Sequence, residues 1–404
     1  MKPVVRAVDI GYGQTKFVTA VVGDEIRCAS FPSVCCPTAR DSSKVAAIER
    51  RATMCIPVGG LFYEVGPDIA LAADGFRPSH LHDRYSETPE YLALLRGALR
   101  MMKVPEIDLL VVGLPVALLV ACKAVLERAM VGRHDVGGGR RVMVRKAMAV
   151  AQPQGTLVRF ASVAGKMDRI AGEESLVIDP GYRAFDWVVA RCVRFVQKCS
   201  HSVPRGVADV LQVCASEITA NIGVQYRDLE AIDVALRTGE APTIYQRRYP
   251  LDRMLPLVEK IAGQAVSSMM HWIGDPTGFH SIVMAGGGVH LFKGAVKAAF
   301  PRQRVIVLKD GIFANVRGYQ IAGMNYAESP AGAGRQPGVE VSREQSIWSF
   351  VTRGPHGCRR IDPVVSSGHL RAGWLQASCT GLCRPGAIFA KKSALNNPFS
   401  RRAP

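Results

Sequence analysis

The sequence has no long uncharged apolar segment. Its longest, residues 109–122, is shorter than the ~18 residues of a membrane-spanning helix and contains Gly113 and Pro115. Residues 1–7 also lack the apolar core of a secretory signal and lead instead into a predicted strand. We therefore expect neither a membrane-spanning nor a secreted protein.

A disulfide framework is missing too, although the chain has eleven cysteines. The adjacent Cys35 and Cys36 are predicted to be packed thiols. Four residues near the C-terminus are possible zinc ligands: His356, Cys358, Cys379 and Cys383. The surrounding segment, however, shows no pattern of helices or strands that would hold a zinc site. We therefore expect the protein to reside in a reducing cytoplasm and to make no direct contact with a membrane.

Acidic residues are the minority, and the formal net charge is +17 at pH 7. A basic surface attracts nucleic acids. Residues 331–404, however, hold eleven Arg or Lys against three acids, and the rest of the chain shows no basic helix or arm. Direct nucleic-acid binding by the body of the protein is therefore not indicated.

The composition, 48% hydrophobic and 21% charged over 404 residues, is that of a globular protein with room for two domains. Two segments share one pattern: a strand that ends in an acid, a glycine turn and a returning strand. The first runs over residues 4–22 with its turn at Gly11 and Gly13, and the second over residues 176–190 with its turn at Gly181. The repeated pattern indicates an ancient duplication.

Periodicity predicts the remaining elements. Further strands are expected at 26–31, 107–113, 142–151, 281–285 and 304–308, with a hairpin at Gly59 and Gly60. Helices are expected at 89–103, 116–130, 207–222, 251–273, through Phe300, and from about Ala314. We predict an α/β fold with two domains, residues 1–152 and 153–327, each with a mainly parallel sheet and helices on both faces, and a basic, disordered tail at 328–404. Ligands are expected in the crevice between the halves.

The first candidate motif is Asp9-Ile10-Gly11-Tyr12-Gly13-Gln14-Thr15-Lys16. Its small turn residues would let backbone N–H groups approach phosphate oxygens. Lys16 would add a positive charge and Asp9 would hold the water shell of Mg²⁺. An ordinary hairpin with a surface lysine is the alternative.

The second motif, Asp179-Pro180-Gly181-Tyr182-Arg183-Ala184-Phe185-Asp186, repeats the pattern about 170 residues later. Two such turns on opposite halves predict a pincer around a triphosphate. The third, Val283-Met284-Ala285-Gly286-Gly287-Gly288-Val289, leads a strand into a helix N-terminus, which favours a negatively charged ligand. Close packing alone would also explain its glycines.

Together these motifs resemble the phosphate-1, phosphate-2 and adenosine motifs of the actin-like ATPase superfamily, whose fold is ribonuclease H-like. Two segments are most similar in sequence to the ParM/StbA-like plasmid-segregation proteins, in particular those called PRTRC system protein D. They are the second motif and Asp310-Gly-Ile-Phe-Ala-Asn-Val-Arg-Gly-Tyr319. The resemblance covers residues 4–326.

The resemblance implies ATP and Mg²⁺ as cofactors, hydrolysis to ADP and phosphate, and a homopolymer that moves plasmid or mobile-element DNA with a DNA-binding adaptor. Asp9 and Asp179 would organise Mg²⁺ through its waters. The implied nucleotide-binding residues are Gly11, Tyr12, Gly13, Gln14, Lys16, Gly181, Tyr182, Asp186, Gly286, Gly287 and Gly288. The residue implied to orient the attacking water is Gln152, with Gln154 as the near alternative; a polar hinge residue is the other interpretation of Gln152.

One departure concerns turnover. The family usually has Thr where Ala184 stands, and the missing hydroxyl would weaken binding or slow hydrolysis. A nucleotide-regulated scaffold that does not polymerise is therefore one alternative function. A small-molecule kinase on the same fold is another, but no carboxylate base is evident near Gln152.

Overall fold

The computed structural model describes residues 2–41, 51–71, 84–163, 165, 170, 172–191 and 194–329. The predicted disordered tail and zinc set lie outside these residues, apart from the end of the last helix. No helix in the described part of the chain is both long and apolar enough to span a membrane. The seven cysteines in this part are free thiols, with Cys35 buried and Cys36 half-buried.

The first half of the chain contains eleven strands and two α-helices among its described residues. They are β1 (Val5–Ile10), β2 (Gln14–Val22), β3 (Glu25–Pro32), β4 (Cys36–Thr38), β5 (Met54–Val58), β6 (Leu61–Val65), α1 (Pro89–Met101), β7 (Glu106–Ile107), β8 (Leu109–Leu114), α2 (Leu119–Met130), β9 (Gly132–Asp135), β10 (Arg141–Val144) and β11 (Ala147–Ala151).

The second half follows directly. Its elements are α3 (Gln152–Val163), β12 (Glu174–Pro180), β13 (Phe185–Arg191), β14 (Arg194–Phe195), β15 (His201–Val203), α4 (Val207–Ile222), α5 (Leu229–Thr238), β16 (Thr243–Ile244), β17 (Arg247–Arg248), α6 (Leu255–Ile273), β18 (Ser281–Met284), α7 (Val289–Ala299), β19 (Val305–Val307) and α8 (Ala314–Glu328).

Each half is built on one large sheet. The first has the order β11-β8-β1-β2-β3, and the second has β14-β13-β12-β18-β19 with β15 also paired to β13. In each, three strands are parallel: β11, β8 and β1 in the first, and β12, β18 and β19 in the second. The sheets are mixed rather than mainly parallel, because each acid–turn–strand motif is a hairpin whose two strands are antiparallel. Each half thus supplies the sheet of one lobe.

Helices cover both faces of each sheet. In the first lobe, α1 and α2 pack on one face and α8 on the other. In the second lobe, α6 and α7 pack on one face and α3 on the other. Burying each large aliphatic or aromatic side chain in these layers contributes about 1.5–3 kcal/mol. The last helix of the chain therefore completes the core of the first lobe.

Local signals explain where the helices begin and end. The Thr88 hydroxyl accepts the Tyr91 N–H at 3.2 Å, ahead of Pro89 at the first turn of α1. The Asp228 carboxylate accepts the Ala231 N–H at 3.0 Å at the start of α5. Gly223 and Gly239, with φ of 73° and 78°, end α4 and α5 in the left-handed region that glycine adopts readily.

Two predicted strands are each divided between different sheets. The predicted strand 107–113 breaks at Asp108, whose carboxylate turns back to accept the Val4 N–H at 2.7 Å. The predicted strand 142–151 breaks at residues 145–146 into β10 and β11, which belong to different sheets. The hairpin at Gly59 and Gly60 is confirmed, with Val58 paired to Leu61.

The helices α3 and α8 cross between the two sheets at a pair of glycines. A Cβ placed on Gly318 would overlap the backbone of Gly155, and one placed on Gly155 would overlap the carbonyl of Asn315. Only glycine allows backbones to approach this closely. The crossing joins the two lobes behind the strand ends that carry Asp9 and Asp179.

Candidate functional site

The acids of the two hairpin motifs lie at the carboxyl ends of the central strands. Asp9 is the penultimate residue of β1 and Asp179 that of β12, and both are buried, with 1% and 8% of their surface exposed. Since parallel strands of a sheet present their carboxyl ends to one edge, each acid stands where its sheet would receive a ligand.

Lys16 forms an ion pair with Asp9 and is also attracted by the charge of Asp179. Its Nζ lies 3.2 Å from Asp9 Oδ2, across the β1–β2 register. Burial alone would lower the pKa of Lys16, but the charges of Asp9 and Asp179 and the hydrogen bond to Asp9 raise it overall. The ammonium is therefore charged and is attracted by an acid from each lobe.

Asp179 is a buried carboxylate near two others. Burial, helped by the charges of Asp186 and Asp9, raises its pKa to about 7 against the opposing effects of Lys16 and a hydrogen bond from Asn315. With three carboxylates and one lysine, this cluster holds an excess of negative charge.

Asp186 turns its side chain toward the first lobe. Its Oδ1 accepts a hydrogen bond from the Ser202 hydroxyl and another from the Val116 N–H at 3.3 Å. Burial raises its pKa to about 6, although these two bonds oppose the shift. The structure thus places Asp186 as a link from β13 to the residues that lead into α2.

The two glycine turns face each other and touch. Within each turn a backbone bond closes the loop, from Gly11 N–H to Gln14 at 3.1 Å and from Gly181 N–H to Ala184 at 2.8 Å. A Cβ placed on Gly13 would lie 3.0 Å from the Cβ of Tyr182. The motifs of the first and second lobes therefore meet at the junction between the lobes, which we call the cleft.

Gln152 and Gln154 have different surroundings. Gln152, the first residue of α3, donates from Nε2 to Asp9 Oδ1 at 2.8 Å. Gln154 is buried, and its Oε1 accepts the Ala151 N–H at 3.1 Å, which fixes it at the start of α3. Of the two candidates, Gln152 is the one that reaches the acids of the cleft.

The third motif packs directly on the second. Gly286 has φ of 108°, and a Cβ there would overlap Asp179 Oδ1. Gly288 donates to the Pro180 carbonyl at 2.9 Å, and Gly287 is exposed. Glycine is required at 286 by both backbone angle and contact, so this turn is built to lie against the end of β12.

Three further residues support the site and were missed by the sequence reasoning. Asn315 donates from Nδ2 to Asp179 Oδ2 at 2.6 Å, and its Oδ1 accepts from the Thr156 hydroxyl at 2.7 Å. Tyr319, fully buried, donates to the Gln152 carbonyl at 3.1 Å. The available signal was the four-residue spacing of Asn315 and Tyr319, which puts both on one face of α8.

The donor set fits a divalent cation held at a distance. The excess carboxylate charge would be relieved by Mg²⁺, which prefers oxygen ligands and keeps several waters. In the described part of the chain, no group of three or more His, Cys, Asp or Glu is arranged to hold a metal directly. The glycine turns offer backbone N–H groups on both sides, which suits phosphate oxygens.

This two-lobed arrangement, with a duplicated hairpin motif on either side of one cleft, defines the actin-like class. Residues 7–155 match the model of the actin-like proteins N-terminal domain, and residues 177–298 match that of the archaeal actin homologue MreB-like C-terminal domain. The chain belongs to the actin-like proteins.

Solved structures share the fold. An archaeal actin homologue in complex with ADP has a TM-score of 0.62 at 20% identity over 79% of this chain and 98% of that chain. A ParM from a 15-stranded filament of Clostridium botulinum has a TM-score of 0.63 at 19% identity, over 80% of this chain and 99% of that chain. Bacillus thuringiensis ParM with ATP has a TM-score of 0.54 at 13% identity, over 80% of this chain and 99% of that chain. No curated protein matches the sequence.

Proposed function

We propose that this actin-like protein binds ATP with Mg²⁺ in the cleft between its lobes, hydrolyses it, and assembles into filaments that segregate plasmid or mobile-element DNA. The observation that carries the proposal is the pair of buried strand-end acids, Asp9 and Asp179, one from each lobe, which both attract Lys16.

The residues on the two turns have distinct tasks in this proposal. The backbone of residues 11–14 and of residues 181–182 would hold the β- and γ-phosphates from opposite sides. Lys16 would neutralise phosphate charge, and Asp9 and Asp179 would orient waters on Mg²⁺. Residues 286–288 would lie against the adenosine. When bound, the cation supplies charge neutralisation to the phosphates.

Gln152 would position the attacking water. Its amide is held 2.8 Å from Asp9, and an amide cannot accept the proton of the reaction as a general base. Phosphoryl transfer depends chiefly on placement and charge neutralisation, so a positioning role is sufficient for slow turnover. The hydrogen bond from the Tyr319 hydroxyl to the Gln152 carbonyl would keep the start of α3 in place.

Filament formation is supported by the similarity to ParM structures, one of which is a filament. A nucleotide that opens or closes the cleft would change the surfaces by which copies of the chain meet. From the sequences of its motifs, we propose that this chain belongs to the group called PRTRC system protein D and that its partner is a DNA-binding adaptor.

Three measurements on the purified protein test the proposal: ATP affinity with and without Mg²⁺, phosphate release, and light scattering after ATP addition. We expect Mg²⁺-dependent binding, slow phosphate release and rising scattering, with all three reduced by Asp179→Ala. Phosphate release that persists in this variant would reject the assigned cleft. Tight ATP binding without phosphate release or scattering would favour the regulated scaffold.

A further inference from the structure

Arg183, on the second turn, reaches across the cleft to the first lobe. Its guanidinium lies 4.9 Å from the ring centroid of Tyr12, and its Nη1 donates a hydrogen bond to the Tyr12 hydroxyl. Tyr12 stands between Gly11 and Gly13 in the first turn. This one side chain therefore bridges the two turns that would hold the phosphates.

Tyr12 is braced from behind by other aromatic rings. It stacks on Tyr85 with centroids 4.7 Å apart, and Tyr85 meets Tyr91 edge-on at 5.4 Å. Tyr85 and Tyr91 are buried, with 4% and 2% of their surface exposed. Tyr12 therefore packs on a buried ring in addition to its contact with Arg183.

The bridge is weaker than the contact that a phosphate would offer. A phenol is a neutral acceptor, whereas bonds from guanidinium to phosphate are charge-assisted and roughly twice as strong. The planar fork of arginine also matches two phosphate oxygens at once. A phosphate that enters between the turns would therefore draw Arg183 away from Tyr12.

The position of Arg183 selects which phosphate this would be. The third motif, which would hold the adenosine end, contacts the second motif at Asp179 and Pro180. Arg183 lies farther along the same turn, where it meets the first turn. The nucleotide group most distant from the adenosine is the terminal phosphate.

We infer that Arg183 senses the terminal phosphate: it pairs with Tyr12 when that phosphate is absent and with the γ-phosphate when ATP is bound. The inference rests on the proposed ATP site and adds a specificity residue to it. Exchange of the partner of Arg183 would break the bridge between the turns in the ATP state and restore it in the ADP state.

The test compares the affinities of ADP and a non-hydrolysable ATP analogue, with Mg²⁺, by calorimetry. Arg183→Ala should weaken the ATP analogue about 10- to 100-fold, the loss expected for a charged hydrogen bond, and ADP by less than about threefold. The matched control is Arg205→Ala, which removes the same charge from an exposed residue beside this turn and should leave the ratio unchanged. Tyr12→Phe, which lacks the competing hydroxyl, should bind the analogue more tightly.

Equal losses for both nucleotides in Arg183→Ala, or no loss for either, would overturn the inference while leaving the ATP site intact. Wild-type protein that binds neither nucleotide would reject the proposed function itself. Arg183→Lys keeps the charge without the fork and should show an intermediate loss for the analogue. It decides the test if Arg183→Ala does not fold, and a wild-type ratio in that variant would equally overturn the inference.

Discussion

Asp179 is buried beside two other carboxylates and one lysine. Its negative charge therefore lowers the stability of the folded protein, although the same charge would help to bind Mg²⁺-ATP. Asp179→Asn keeps the shape and an oxygen to accept from Asn315, and it removes a buried charge that Asp9 and Asp186 repel. We expect the nucleotide-free variant to melt at the same temperature as the wild type or higher, and to bind Mg²⁺-ATP at least about tenfold more weakly, the order expected for loss of a charged contact.

Calorimetry and thermal unfolding measure the two effects. Asp24→Asn is the control, because it removes the same charge from an exposed turn and should change neither value. Unaltered Mg²⁺-ATP affinity in Asp179→Asn would contradict the assigned role.

The raised pKa of Asp179 also predicts a pH dependence. The folded protein binds this proton up to about pH 7, whereas the unfolded chain releases it near the ordinary value of 3.8. The stability from this group is therefore fully present below pH 3.8 and is lost as pH rises through about 7. Urea unfolding of the nucleotide-free protein should show wild type losing stability relative to Asp179→Asn between pH 5 and pH 8, by on the order of a few kcal/mol. Parallel pH profiles of the two proteins would refute this.

At the residue level, the pairing of Asp9 with Lys16 was predictable from the sequence, because a hairpin turn brings these two residues together by local register alone. Asn315 was not predictable in the same way. It lies 136 residues from Asp179 and reaches it only because α8 returns to the interface of the lobes. The direction of the Asp186 side chain was equally hidden, since its partner Val116 belongs to the other lobe.

Among the elements, the crossing of α3 and α8 leaves no room for a side chain. Gly318→Ala should destabilise the protein by about 1–3 kcal/mol or more, since the new Cβ overlaps the Gly155 backbone. Gly294→Ala in α7, where a Cβ would meet nothing within 4 Å, should instead stabilise by about 0.5–1 kcal/mol. Chemical denaturation of both variants measures the contrast, and similar values for the two would show that the crossing is not tightly packed.

Elements with strong apolar periodicity were predicted well, such as α4 at Val207–Ile222. The sequence analysis missed α5 at Leu229–Thr238, which buries only Ile232 and Ala235 and is defined mainly by its Asp228 cap and Gly239. The splitting of the strand predicted at 142–151 was also hidden, because both pieces are apolar and their sheet partners are distant in sequence.

For the molecule as a whole, the described helices and strands and nearly half of the net positive charge lie in different parts of the chain. The chain to Ser329 contains every element described here, whereas residues 331–404 supply eight of the 17 net positive charges. A chain ending at Ser329 should keep its ATP affinity and lose most of any salt-sensitive binding to DNA. Calorimetry and gel shifts over a salt series check this, and DNA binding equal to that of the full chain would locate the basic surface in the body instead.

The return of α8 to the first sheet has a consequence for synthesis in the cell. Residues 1–163 leave the ribosome first, but among the described residues the face of their sheet that includes Val5 and Leu109 is covered mainly by α8, which ends at Glu328. Until then that apolar face is open to water and to other nascent chains. Most of the polypeptide must therefore emerge before either lobe is finished, and a shortened transcript that stops before α8 should yield insoluble protein rather than a working half.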